Sequence, residues 1–172
     1  MAAANKNSTR EITYSGILLA ILMIVLYIYT ISPTNKLIIL MFASFIIGVE
    51  LSETSIKYTI IFYFASLLLT LIFPINKISL LLYYSFFGIY GLIKYYIEKI
   101  EIIILEYIVK TIFFITIFLL NITYIKLLLP KLVVQFPVYI LLLLSFIAFL
   151  LYDYLYTLIV QLYTQKIRRG RN

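Results

Sequence analysis

Three ionisable residues interrupt the most apolar stretches of the chain. Glu106 and Lys110 lie within 102–124, and Asp153 lies within 138–162. On a helix, Glu106 and Lys110 are four residues apart with the acid on the N-terminal side, the favourable order for an ion pair. Winding at about 100° per residue gathers Glu106, Lys110, Phe113, Ile117, Asn121 and Tyr124 into one stripe. Each charge costs ~2.5–3.5 kcal/mol to place at the centre of a bilayer, so the stripe is expected to face other helices and not lipid. Lys110 and Asp153 sit at similar depth on consecutive apolar runs, so a Glu106–Lys110–Asp153 cluster is expected. One reading makes it a latch that fixes helix register. The other makes it a pathway, a coupling switch or a ligand site. In either case Lys110→Asp should be unstable, and adding Asp153→Lys should restore the fold.

Other chemistries are poorly served. The chain has no His and no Cys, which removes imidazole bases, thiolate nucleophiles, disulfides and the usual soft metal ligands. Two isolated carboxylates within the runs do not make a metal site, and no Gly-rich phosphate loop is present. The expectation is a protein that is not an enzyme and holds no cofactor and no metal. A basic, aromatic surface for nucleic acid is not indicated.

Positioning the charges falls to helices in a bilayer. Hydrophobic residues make up 65% of the 172 and charged residues 12%, against ~45–50% and ~25% in soluble domains. The expected fold is all-α: a polytopic membrane protein forming one domain, a compact bundle of six transmembrane helices at about 12–31, 36–52, 57–73, 78–96, 102–124 and 138–162. The run 12–31 is too long for the apolar core of a signal peptide and is read as a span. The runs 36–52 and 57–73 are short and flank the charged turn Glu50, Glu53 and Lys57; spans are favoured over a re-entrant hairpin. The run 78–96 places Tyr84, Gly88, Gly91 and Tyr95 on one face, a groove floored by glycines where a neighbour can pack. Lys94 and Glu98, also four apart, are read as an interfacial pair reaching towards headgroups.

The net charge is +7, with the bases gathered at the ends of the runs, a pattern that attracts anionic lipid. Placing both termini on the cytoplasmic side puts nine Lys and Arg in inner segments and four in outer ones. This supports N-in, C-in in the cytoplasmic membrane of a bacterium.

Small residues stand four apart at Gly16 and Ala20 near the start of the first run, where another helix can approach closely. With six apolar segments, short loops and a basic tail, the chain resembles the substrate-binding S-components of energy-coupling-factor transporters. That resemblance implies a subunit that captures a vitamin-like micronutrient and docks onto a transmembrane coupling protein served by ATPase subunits. Gly16-x-x-x-Ala20 stands where such proteins carry their Ala-x-x-x-Ala docking motif. It also implies a small organic ligand held in the outer half. The polar and aromatic groups available there are Asn35, Tyr83, Tyr84, Asn121, Tyr124, Gln135 and Tyr139, whose rings could stack on a flat heterocycle while the amides fix its edge. A second class stays open. Small six-span proteins of the rod-shape MreD kind have similar hydropathy and act as non-catalytic scaffolds or assembly partners.

Overall fold

Apolar runs of this length satisfy their backbone polar groups by forming helices, and the computed structural model is all-helical. It describes residues 2–73, 77–128 and 137–168, with side chains over 9–73, 80–124 and 137–166. Helix α1 covers Ala2–Ile31, α2 Lys36–Glu53, α3 Ile56–Ile72, α4 Lys77–Leu82, α5 Gly88–Ile97, α6 Ile103–Leu128 and α7 Val138–Leu162. A π-turn, Tyr83–Phe87, joins α4 to α5 without a break, so these seven stretches make six helices among the described residues; a second π-turn, Tyr163–Arg168, extends α7. Four stretches are long and apolar enough to cross a membrane: Thr9–Ile31, Leu80–Ile97, Ile103–Tyr124 and Val138–Lys166. The other two helices differ in kind. Helix α2 carries Lys36, Glu50 and Glu53, and the 17 residues of α3 reach ~25 Å, short of the ~30 Å hydrocarbon thickness.

The chain divides into two compact units, Met1–Ile93 with Leu158–Asn172, and Lys94–Thr157. In the first, α1 packs on α2 and α3, and α2 packs on α3 and on the Tyr83–Phe87 turn. Helix α1 contributes Leu22, Leu26 and Tyr29, spaced one turn apart and fully or nearly buried. The buried face of α3 is rich in hydroxyls, which is tolerated because each satisfies itself on a carbonyl of its own helix. Thr59 donates to Ser55 O (3.2 Å), Ser66 to Tyr63 O (2.7 Å) and Thr70 to Leu67 O (2.8 Å).

The π-turn loosens the regular backbone ladder, and hydroxyls from neighbouring helices supply donors to it. Ser44 Oγ on α2 donates to Phe87 O (2.6 Å), and Tyr63 OH on α3 donates to Tyr84 O (2.9 Å). The amide of Gly88 closes the wide turn onto Tyr83 O. A Cβ at Gly88 would come within 3.2 Å of both Tyr63 Cε2 and Tyr83 O, so a side chain here would push the ring away. Of the Tyr84–Gly88–Gly91–Tyr95 face, Tyr84 and Gly88 lie against Tyr63. Gly91 is buried as well, and Tyr95 is half-buried.

In the second unit α6 and α7 run antiparallel. Phe114 stacks on Phe149 with ring centroids 4.9 Å apart and tilts against Phe146 at 5.6 Å. One turn away on both helices Lys110 meets Asp153. The aromatic pair and the ion pair therefore belong to one register.

Candidate functional site

The second unit holds a cluster of five charged side chains. Lys110 Nζ on α6 lies 2.6 Å from Glu106 Oε1 on the preceding turn and 3.0 Å from Asp153 Oδ2 on α7. Asp153 Oδ1 accepts from Lys94 on α5. Lys94 in turn lies 3.0 Å from Glu98 Oε1, four residues further on. Asp153 is thus a bridge, with one carboxylate oxygen on each lysine. The two ammonium side chains are 4% and 6% exposed, whereas Glu98 is 44% exposed. The cluster is sealed at its lysines and open at one acid. Two ammonium and three carboxylate groups leave it one negative charge overall. Both lysines also lie near aromatic faces, Lys94 at 6.0 Å from the Tyr156 ring and Lys110 at 5.9 Å from that of Tyr107.

This geometry gathers Glu106, Lys110 and Asp153. It also corrects the reading of Lys94, which is buried inside the unit and paired with Asp153. The signal for it was present in the four-residue spacing of Lys94 and Glu98, the same spacing as Glu106 and Lys110. What spacing along one helix cannot reveal is which cross-helix acid the lysine meets. Chemically, both ammonium groups are held in ion pairs. The arrangement suits fixing three helices in register better than supplying a nucleophile.

The residues chosen for an outer ligand site are differently placed. In the first unit, Tyr84 OH donates to Ser66 O (3.0 Å) and lies 2.9 Å from Thr70 Oγ1. Tyr83 is fully buried, its ring edge-on to Tyr84 at 4.9 Å. Asn35 precedes α2 with φ 60°, a left-handed turn that asparagine adopts readily, and its side chain is exposed. In the second unit, Asn121 donates its amide to Ile117 O of its own helix (2.9 Å), and Tyr124 and Tyr139 are 48% and 72% exposed. Gln135 lies outside the described residues. Tyr84 and Asn121 thus bond within the chain, and Tyr83 packs inside the first unit.

Gly16 and Ala20 lie on the exposed face of α1. A Cβ built at Gly16 would meet nothing within 4 Å, so the absence of a side chain there serves no contact inside the described chain. Around them Ile12, Ile17, Ile21 and Ile24 are also exposed.

A group that sequence reasoning placed in a polar connection is in fact interior. Glu50, in the last turn of α2, is fully buried. Its Oε1 accepts from Ser15 Oγ on α1 (2.5 Å) and from Thr54 Oγ1 (3.1 Å). Nearby, Glu53 Oε1 accepts from Tyr163 OH (2.5 Å).

No family model, no curated protein and no solved structure matches this chain.

Proposed function

We propose that the chain is a non-catalytic subunit of the bacterial cytoplasmic membrane, with six spans and both termini inside, that works by docking onto a second transmembrane protein through the Gly16–Ala20 face of α1. The observation that carries this reading is the open space at Gly16. A glycine inside an apolar helix that packs against none of the described residues is the feature by which another helix backbone comes close. Ala20 extends the same exposed face by one turn.

Two kinds of subunit fit this reading. The arrangement favours an assembly partner of the MreD kind, because Tyr84 and Asn121 have hydrogen-bond partners within the chain and Tyr124 and Tyr139 point outward. The carrier reading, an energy-coupling-factor S-component that binds a micronutrient, rests on the six-helix outline and on the place of Gly16-x-x-x-Ala20. It requires Asn35, Tyr83, Tyr84, Asn121, Tyr124, Gln135 and Tyr139 to surround a ligand.

The test is co-purification of tagged wild-type chain and a Gly16→Leu variant from the native membrane, with partners identified by mass spectrometry. An integral membrane partner retained by wild type and lost with Gly16→Leu is the expected result. Retention of the same partners by both forms would refute the docking face. Cell-wall or division proteins among the partners identify the scaffold; ATPase and coupling subunits, with thermal stabilisation by a vitamin, identify the carrier.

A further inference from the structure

We infer that Glu50, Ser15 and Thr54 form a binding site for a monovalent cation of the sodium type. Glu50 is fully buried, yet only Oε1 of its carboxylate is hydrogen-bonded. Its Oε2 is buried and has no hydrogen-bond partner among the described residues. The charged neighbours that act on it, Glu11 and Glu53, are both negative. Glu50 also lies in the last turn of α2, where backbone carbonyls present the negative end of the helix dipole. A buried carboxyl group in this setting takes up either a cation or a proton, since an uncompensated charge costs several kcal/mol, and the oxygen donors around it are those of a cation site.

The surrounding donors are oxygens. Ser15 Oγ donates to Glu50 Oε1 (2.5 Å). The single Thr54 hydroxyl hydrogen is shared between the Glu50 carbonyl (2.9 Å) and Oε1 (3.1 Å), so the lone pairs of both hydroxyls are available to an ion. Carbonyls at a helix C-terminal end are donors that membrane proteins use for sodium, and here a carboxylate and two hydroxyls stand beside such an end. Among the described residues no three acidic side chains converge to hold a metal ion, so one buried carboxylate matches a single positive charge better than a divalent ion. Helices α1 and α2 both belong to the first unit, and the ion would tie Ser15 on one to Glu50 on the other. This site is separate from the Lys94–Asp153–Lys110 cluster and does not depend on the docking reading.

The experiment is thermal unfolding of the full-length chain in detergent, in sodium chloride against choline chloride at equal ionic strength. Sodium should raise the melting temperature of wild type saturably, by roughly 5 °C. Glu50→Gln should abolish the difference. No sodium dependence in wild type, including stability that follows pH alone, would overturn the proposal, as would an equal sodium shift in Glu50→Gln. If Glu50→Gln does not fold, Ser15→Ala decides. It keeps the carboxylate and should move the sodium midpoint about tenfold higher through loss of one oxygen donor; an unchanged midpoint would overturn the assignment.

Discussion

Lys110 on α6 and Asp153 on α7 lie 3.0 Å apart, one helical turn from the stacked rings of Phe114 and Phe149. Asp153 serves Lys94 with its other oxygen, so removing its charge leaves each buried ammonium group with only the part-exposed acid of its own helical stretch, Glu98 or Glu106. Asp153→Asn should destabilise the chain by ~3–5 kcal/mol, the scale for breaking a buried ion pair. Glu106→Gln should cost well under that, because Glu106 is part-exposed and Lys110 keeps Asp153. Unfolding midpoints in mixed detergent would rank the two, and equal losses would contradict the bridging role.

The same geometry alters the charge-exchange expectation. Lys110→Asp combined with Asp153→Lys would place an acid beside Glu106 and a lysine beside Lys94, two new like-charge contacts. The double variant should therefore remain less stable than wild type. Full recovery in the same unfolding assay would show Lys110–Asp153 to be an isolated pair.

Glycine substitutions separate the packed face from the open one. Gly88→Ala meets Tyr63 and the Tyr83 carbonyl and should cost ~1–3 kcal/mol, the range for overpacking. Gly16→Ala meets nothing and should be neutral or stabilising by up to ~1 kcal/mol from helix propensity. Thermal unfolding of the isolated chain reads both, and a reversed order would contradict the placement of these helices.

The π-turn makes a further prediction. Ser44→Ala removes the hydroxyl that donates to Phe87 O and should cost ~0.5–1.5 kcal/mol, the net worth of one hydrogen bond. Amide hydrogen exchange of the segment 83–88 should speed up in this variant. Unchanged exchange would mean that the hydroxyl is dispensable to the turn.

The six helical segments were legible because apolar runs bounded by Pro, Asn and charged residues leave little else to form. The Glu106–Lys110–Asp153 grouping was legible because helical periodicity and equal depth both constrain it. Lys94 was not, since a lysine near the end of a run reads the same whether it reaches water or a partner acid. Glu50 was misread for a similar reason. Three charges within eight residues resemble a loop, and only the packing of α1 on α2 reveals that Ser15 donates to the carboxylate. The ligand residues were chosen by type and depth, but neither says whether a tyrosine hydroxyl such as that of Tyr84 already has a partner in Ser66 and Thr70.

The docking face can be tested directly by placing a photo-crosslinking residue at Ala20, which is exposed, and at Leu22, which is fully buried, in native membranes. The account predicts a discrete adduct to one integral membrane protein from position 20, lost with Gly16→Leu, and none from position 22. Only lipid adducts from position 20, or an adduct that survives Gly16→Leu, would contradict it.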